Sequence, residues 1–269
     1  MHETAYAKLN LALHVRGREP DGYHRIETAF AFAEDGDLLT VGEGDSITLS
    51  VVGPFAADLT GDDNIVLAAA RALQERSGTA AGAALTLDKR LPVASGIGGG
   101  SADAAAALRL LNRRWRLHLP DEALLDLARA LGADVPACLF SRAARGEGRG
   151  DRLDFTDFGI AGAPVLLINP GVKLSTRSVF GNWSGRDGGP LGDPWTGRND
   201  LEAPARALVP SISEVLDALA SLGNARMVRM SGSGATCFGV FRETADRDEA
   251  SRRIAALHPH WWRLASRLR

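Results

Sequence analysis

The chain has 269 residues, of which 45% are hydrophobic and 24% are charged, and its formal net charge is −2. This balance is typical of a globular protein and gives no global attraction to nucleic acid or anionic lipid. No apolar stretch approaches the roughly 20 residues of a membrane span, and the charged segment 1–20 lacks the apolar core of a signal peptide. Cys138 and Cys237 lack metal-ligand spacing, so we expect free thiols in a cytoplasmic protein.

The first predicted element is a strand, because every second residue from Leu9 to Val15 is apolar. Lys8 and Asn10 fall on its opposite face. Pro20-Asp21-Gly22 then predicts a turn. Further strands are predicted over 47–52 and 83–89. Between them, Asp62-Asp63-Asn64 offers capping side chains for a helix that carries Ile65 and Leu73.

From residue 101 onward, the chain alternates between helix and strand patterns without strict βαβ order. The alanine-rich run 101–108 predicts a helix, and apolar spacing predicts further helices over 124–131, 212–219 and 245–257. Strands are predicted over 165–168 and 237–241, and the Gly- and Pro-rich segment 183–198 predicts a long loop. The mixture favours an α+β fold. We expect two lobes, over 1–158 and 159–269.

The strongest functional signal is the glycine-rich loop Gly96-Ile97-Gly98-Gly99-Gly100-Ser101, which leads from a predicted strand into the alanine-rich helix. A helix N-terminus presents unpaired N–H groups and a positive dipole end, which suit an anion. Glycines let the backbone approach phosphate oxygens closely. The loop lacks the Gly-Lys-Ser/Thr of a Walker A sequence. It predicts phosphate binding, and the alternative is a turn that only packs closely.

Two further candidates are ambiguous on their own. Lys8 and Asn10 on the polar face of a strand are most simply a solvated face. Asp134, in Gly132-Ala133-Asp134-Val135-Pro136, is most simply a helix cap. The alternative for Asp134 is a general base, a role that suits a carboxylate near a lysine.

Two loops complete the set of candidates. Tyr23-His24 follows the predicted turn and could either stack a nucleotide base or cover the core. The late loop Ser231-Gly232-Ser233-Gly234-Ala235 could either press against a ligand or form a plain tight turn.

Taken in this order, the segments resemble the GHMP kinase superfamily. Its three motifs correspond to Ala7-Lys8-Leu9-Asn10, the loop 92–102 and the late loop 230–235. The branch most similar to this chain phosphorylates a cytidine diphosphate-linked methylerythritol. The resemblance implies a two-lobed α+β fold, with a ferredoxin-like C-terminal lobe and the active site in the cleft between the lobes. It also implies ATP and Mg²⁺ as cofactors, and a monomer or homodimer without nucleic-acid or membrane partners.

The same resemblance implies roles for individual residues. Asp134 would take the proton from the acceptor hydroxyl, and Lys8 would stabilise the transferring phosphoryl group. Asn64 and Lys89 would lie near the adenosine. Asn10 and His24 would hydrogen-bond the acceptor, Tyr23 and Phe180 would stack its cytosine, and Phe30 would line the same pocket. The ATP phosphates would bind to the loop formed by Pro92, Val93, Ala94, Ser95, Gly96, Ile97, Gly98, Gly99, Gly100, Ser101 and Ala102.

Two alternatives stay open at the level of sequence. One is a related kinase that acts on homoserine, mevalonate or a sugar, and Tyr23, His24 and Phe180 argue against it because such acceptors need no aromatic platform. The other is a non-catalytic ATP-binding module, which the joint presence of Lys8 and Asp134 argues against. The Mg²⁺ ligands are unknown from the sequence.

Overall fold

A computed structural model describes residues 1–59 and 64–269 of the chain. Its strands are β1 (His2–Arg18), β2 (His24–Gly42), β3 (Ile47–Val52), β4 (Ala83–Asp88), β5 (Ala144–Gly148), β6 (Arg152–Phe155), β7 (Pro164–Asn169), β8 (Ala225–Met230), β9 (Cys237–Phe241) and β10 (Trp262–Arg267). Its α-helices are α1 (Ile65–Ser77), α2 (Gly99–Arg114), α3 (Asp121–Leu131), α4 (Val135–Phe140), α5 (Thr176–Gly181), α6 (Glu202–Leu208), α7 (Ser211–Ser221) and α8 (Thr244–Leu257). A short 3-10 helix covers Ala56–Asp58.

The chain forms two compact units, each assembled from several segments. The first comprises Met1–Ala7, Asp35–Val93 and Gly98–Ser141, and the second comprises Lys8–Glu34, Ala94–Ile97 and Arg142–Arg269. Both units are discontinuous because β1, β2 and the glycine-rich loop each contribute to both. The division into lobes over 1–158 and 159–269 stays a prediction.

In the first unit, four helices accompany a small sheet. Strand β3 runs parallel to β4, and β4 runs antiparallel to the C-terminal part of β2. Helix α2 packs against α1, α3 and α4. Its alanines from Ala104 to Ala107 are fully buried, so these neighbours approach a face of small side chains. Asn64 caps α1 by accepting a hydrogen bond from the N–H of Val66 at 2.9 Å. Asp62 and Asp63, which share the predicted cap, lie outside the described residues.

The second unit contains an antiparallel sheet in the order β10-β7-β9-β8. Helices α5 to α7 connect β7 to β8, and α8 connects β9 to β10, which gives the ferredoxin-like topology. Strand β7 is buried along its whole length, as its continuous apolar run requires. A separate ladder joins the N-terminal part of β2 to β5, and β5 to β6. The α+β prediction is confirmed.

Most of the predicted helices and strands are present in the structure. The strand predicted over 237–241 and the helix predicted over 245–257 match β9 and α8. Residues 183–198 form no helix or strand, as predicted. The 19-residue strand β2 was not predicted, because its burial follows no regular alternation. Within the described part of the chain, no helix is both long enough and apolar enough to cross a membrane.

Candidate active site

The glycine-rich loop follows β4 and runs directly into α2. Positive φ angles recur at every second residue: 52° at Ala94, 79° at Gly96 and 63° at Gly98. Glycine adopts this left-handed region without the steric cost that a Cβ brings. The conformation therefore depends on the glycines at 96 and 98, and Gly98 forms the N-cap of α2.

Other segments of the second unit fix the carbonyl groups of this loop. Three consecutive carbonyl oxygens each accept a hydrogen bond of 3.0 Å: Ser95 from the N–H of Thr236, Gly96 from the hydroxyl of Ser231, and Ile97 from the N–H of Lys8. Engaged carbonyls set the orientation of the peptide planes and hence of the N–H groups on their other side. The loop is therefore held in one conformation by residues from both ends of the chain.

The late loop 230–235 presses against the glycine-rich loop. A Cβ on Gly96 would lie 2.7 Å from the carbonyl oxygen of Gly234, and a Cβ on Gly232 would lie 2.7 Å from that of Gly96. Asn199 supports the late loop, since its Nδ2 donates to the carbonyls of Met230 and Gly232 at 2.8 Å each. The small residues of both loops are thus needed for close approach.

Lys8 and Asn10 form a buried polar pair on β1. Their exposed fractions are 3% and 2%, so the interpretation as a solvated face is wrong. Lys8 Nζ donates to Asn10 Oδ1 at 2.9 Å, and Asn10 Nδ2 donates to Thr28 Oγ1 at 2.8 Å. The Thr28 hydroxyl in turn donates to the carbonyl of Ala12 at 2.7 Å. This chain of hydrogen bonds fixes both side chains, which suits a catalytic group more than a surface residue.

The ring of Phe30 contacts the ammonium group of Lys8. Its fully buried ring centroid lies 5.2 Å from Lys8 Nζ, within the range of a cation–π contact. The ring therefore supports the ammonium group. A role for Phe30 in lining the acceptor pocket stays a prediction.

Asp134 is the N-cap residue of α4, as the Asp-x-Pro pattern predicts, but its side chain makes no capping hydrogen bond. Capping alone therefore does not account for the carboxylate. The far end of this short helix is held by Arg109, whose Nη1 donates to the carbonyls of Cys138 and Leu139 at 2.7 and 2.9 Å. Arg109 lies on α2, so α4 is tied to the helix that begins at the glycine-rich loop.

An aromatic group surrounds His24 in the second unit. The His24 ring lies 4.8 Å from the Phe180 ring and 5.7 Å from the Trp183 ring, measured between centroids. Burial lowers the pKa of His24, with a smaller contribution from Arg18, so the ring is held neutral near pH 7. A neutral imidazole can both donate and accept a hydrogen bond.

Tyr23 is the exposed aromatic residue at this position, with 55% of its surface accessible. The guanidinium carbon of Arg149 lies 3.9 Å from the centroid of its ring, and Arg149 also pairs with Asp21. An exposed ring with one cation contact has the geometry of a stacking platform.

Asn64 and Lys89 both have structural contacts in the first unit. Asn64 caps α1, as described above. Lys89 is 2% exposed, and its ammonium contacts the carboxylates of Asp37 and Asp103 at 2.5 and 2.6 Å. Their predicted position near the adenosine stays a prediction.

Several residues of the site were missed by sequence reasoning. In the sequence, nothing distinguishes Thr28, Asp37 and Asp103 from surface polar residues. Only the structure shows that their side chains are buried. Trp183 lies just beyond α5, which ends at Gly181, so helical spacing gives no signal for its contact with His24. Arg149 carries no signal, since its contact with Tyr23 joins residues far apart in sequence.

Two family models match the chain. The GHMP kinases N terminal domain matches residues 64–142, and the GHMP kinases C terminal domain matches residues 186–260. These ranges include the glycine-rich loop, Asp134 and the late loop.

The chain is also similar over its full length to several kinases. It is 55% identical to the 4-diphosphocytidyl-2-C-methyl-D-erythritol kinase of Rhizorhabdus wittichii, covering 100% of this chain and 96% of the relative. It is 46% identical to the enzyme of the same name from Sphingopyxis alaskensis, covering 100% and 99%.

Solved structures agree. A crystal structure of 4-(cytidine 5'-diphospho)-2C-methyl-D-erythritol kinase superposes with a TM-score of 0.84 at 34% identity, covering 100% and 99% of the two chains. Homoserine kinase from Cytophaga hutchinsonii shares the fold with a TM-score of 0.72 at 17% identity, covering 99% and 94%. The chain belongs to the GHMP kinase family, in the group of the 4-diphosphocytidyl-2-C-methyl-D-erythritol kinases.

Proposed function

We propose that the chain transfers the γ-phosphoryl group of ATP to the 2-hydroxyl of 4-diphosphocytidyl-2-C-methyl-D-erythritol, in isoprenoid precursor biosynthesis. The observation that carries the proposal is the 55% identity, from end to end, to a relative named for this activity. The rigid glycine-rich loop and the buried Lys8–Asn10 pair support it, because a phosphoryl transferase works mainly by positioning and by neutralising charge.

The glycine-rich loop binds the phosphates of ATP in this proposal. Its fixed carbonyls orient the neighbouring N–H groups, and α2 directs the positive end of its dipole toward the phosphates. The Ser101 hydroxyl adds a hydrogen-bond donor in the first turn. Backbone groups can hold anions in this way even though the protein carries a net negative charge.

Lys8 and Asp134 carry the chemistry. Asp134 accepts the proton of the acceptor hydroxyl, and the oxygen of that hydroxyl forms a bond to the γ-phosphorus of ATP. The bond between the γ-phosphorus and the bridging β-phosphate oxygen breaks, and ADP leaves. Lys8 stabilises the negative charge on the transferring group. The hydrogen bond of 2.9 Å from its ammonium to Asn10 Oδ1 supports this role, because it restricts the orientation of the ammonium.

The aromatic group binds the cytidine end of the acceptor. Tyr23 and Phe180 stack the cytosine, and His24 hydrogen-bonds it in its neutral form. Trp183 supports His24 by an edge contact. A small amino acid or polyol would not use such a platform, so these residues favour a nucleotide-linked acceptor.

Mg²⁺ would neutralise charge on the ATP phosphates when it is bound with the nucleotide. Over residues 1–59 and 64–269 there is no cluster of three or more His, Cys, Asp or Glu side chains that could hold a metal ion. We further propose a cytoplasmic enzyme that acts as a monomer or homodimer.

A panel assay tests the acceptor. Purified protein is mixed with ATP, Mg²⁺ and one of four acceptors: the diphosphocytidyl methylerythritol, homoserine, mevalonate or galactose. We expect ADP release with the first acceptor alone, and phosphorus NMR of the product should place the new phosphate on the 2-hydroxyl. Turnover with another acceptor at a comparable kcat/KM would refute the substrate assignment.

A further inference from the structure

A buried ion cluster lies against the first residue of α2, in the first unit. It consists of Lys89, Asp37 and Asp103, which we call the Lys89 cluster. The ammonium of Lys89 donates to Asp37 Oδ2 at 2.5 Å and to Asp103 Oδ2 at 2.6 Å. The exposed fractions of the three residues are 2%, 0% and 2%. The three side chains are almost entirely buried, so a role as solvated surface charges does not explain the cluster.

The cluster joins the two ends of the loop. Lys89 directly follows β4, where the chain leaves the sheet, and Asp103 lies in the second turn of α2, where the chain has entered the helix. Asp37 binds the segment that follows β4, because its Oδ1 accepts hydrogen bonds from the N–H groups of Arg90 at 2.6 Å and Leu91 at 2.8 Å. The span between these anchors contains the phosphate-binding residues.

The start of α2 rests on the cluster itself. A Cβ on Gly99 would lie 3.1 Å from Lys89 Nζ and 3.8 Å from Asp37 Oδ2. The first helical residue therefore packs directly above the ammonium group. A change in the position of Lys89 is transmitted to the first turn of α2, whose N–H groups face the phosphates in the proposed function.

The charges of the Lys89 cluster are only partly compensated by hydrogen bonds. Two carboxylates share one ammonium, and Asp103 Oδ1 is buried without a hydrogen-bond partner, the one such side-chain atom in the described part of the chain. Burial of an ionised pair costs solvation free energy that an apolar pair would not lose. Because an apolar replacement would avoid this cost in the free energy of unfolding, the cluster is better explained by a role in positioning the chain segments that it joins.

We propose that Lys89, Asp37 and Asp103 are positioning residues that hold the first turn of α2 and the preceding loop in the orientation that binds the phosphates of ATP. The inference rests on the proposed function, because it assumes that the loop binds ATP. It assigns Lys89 a role through the loop instead of a contact with the adenosine.

Two variants test the proposal. Asp103→Asn keeps the shape of the side chain and removes its charge. Lys89→Met with Asp37→Asn and Asp103→Leu replaces all three charges by neutral side chains of similar size, which commonly preserves folding. The Asp37→Asn change keeps the oxygen that accepts from the N–H groups of Arg90 and Leu91. Binding of a non-hydrolysable ATP analogue with Mg²⁺ is measured by calorimetry without acceptor, and KM for the acceptor is measured at saturating ATP. Asp126→Asn, in an exposed pair with Arg129, is the matched control.

We expect both variants to fold, as judged by thermal unfolding, and to weaken nucleotide binding about tenfold or more, because misplaced groups lose most of their interaction. KM for the acceptor should stay within about threefold of the unaltered protein, as an effect confined to the nucleotide subsite requires. A role in folding alone would change the melting temperature and leave the affinity of the folded fraction as it was.

The outcomes separate the two hypotheses. If the unaltered protein does not bind the analogue, the proposed function fails and the inference fails with it. If the unaltered protein binds and the stably folded triple variant binds equally well, only the positioning role is overturned. Equal losses for nucleotide and acceptor would also overturn it, since they would indicate a general structural defect.

Discussion

The ammonium of Lys8 donates a hydrogen bond of 2.9 Å to the side-chain carbonyl of Asn10, two residues along the same strand. Residues at i and i+2 share one face of a strand, and here that face is buried. The amide of Asn10 is itself fixed by Thr28. One amide thus sets the direction of the cation that the proposed chemistry requires.

Asn10→Ala should therefore lower kcat about tenfold or more, because Lys8 loses the partner that orients it. KM for ATP should change little, since the glycine-rich loop is untouched. Asn224→Ala removes an exposed amide that pairs with Asp246 and serves as the control. If kcat were unchanged and only KM for the acceptor rose, Asn10 would bind the acceptor directly and would not orient Lys8.

Asp134→Asn should lower kcat on the order of 10²–10⁴-fold, the range for removal of a general base. The N-cap position should tolerate the change, since Asn is as good a cap as Asp and the native side chain makes no capping bond. Stopped-flow or coupled ADP assays measure kcat, and calorimetry with an ATP analogue checks that nucleotide binding survives. Turnover near that of the unaltered protein would reject the assignment of the base.

Tyr23→Ala should raise KM for the diphosphocytidyl acceptor, because stacking contributes roughly 1–3 kcal/mol per base, which is about five- to 150-fold in affinity. Tyr23→Phe keeps the ring and should behave like the unaltered protein. KM for ATP should be the same in all three proteins. Equal increases in both KM values for Tyr23→Ala would contradict the cytosine platform.

Gly96→Ala should destabilise the protein and abolish nucleotide binding. The added Cβ meets the carbonyl of Gly234 at 2.7 Å, and φ is 79°. Gly192→Ala is the matched control, because a Cβ there has no neighbour within 4 Å among the described residues. Thermal unfolding and calorimetry report the two effects. Normal nucleotide binding by Gly96→Ala would show that the close contact between the loops is dispensable.

The stability of the protein should fall with rising pH through the titration of Asp103. Burial, the largest cause, raises the pKa of Asp103 from 3.8 to about 7, and Lys89 opposes it only in part. The folded state therefore binds more protons than the unfolded state over this range. This contribution is fully present below about pH 4 and is lost as pH rises through about 7.

Asp103→Asn removes this contribution, so its melting temperature relative to the unaltered protein should rise between pH 5 and pH 8. The slope is at most about 1.4 kcal/mol per pH unit for one group. The comparison with the unaltered protein cancels His14 and His24, whose lowered pKa values act in the opposite direction. A difference that stays constant with pH would mean that Asp103 keeps an ordinary pKa. Asp126→Asn again provides the control.

Local sequence patterns were sufficient to predict several helices and strands. The alanine run of α2, the buried run of β7 and the strand β9 follow from propensity and periodicity, which act over a few residues. The glycine-rich loop is also local, because the left-handed conformations at positions 96 and 98 favour glycine. The family resemblance rests on the order of such local motifs.

Tertiary structure decided the environment of each functional side chain. By sequence, Lys8 and Asn10 looked like a solvated face, but both are buried. Ser231 bonds Gly96 across 135 positions of chain, and Asn10 bonds Ser231 across 221. Such contacts depend on which segments the whole fold brings together, and periodicity carries no information about that.

The glycine-rich loop shows both parts of this division. Its sequence determined the conformation that it can adopt and the kind of ligand that it suits. Two of the hydrogen bonds to its carbonyl groups come from Ser231 and Thr236, which lie more than 130 positions further along the chain. A short peptide with this sequence would populate many backbone states, because the hydrogen bonds that select one of them come from distant parts of the chain.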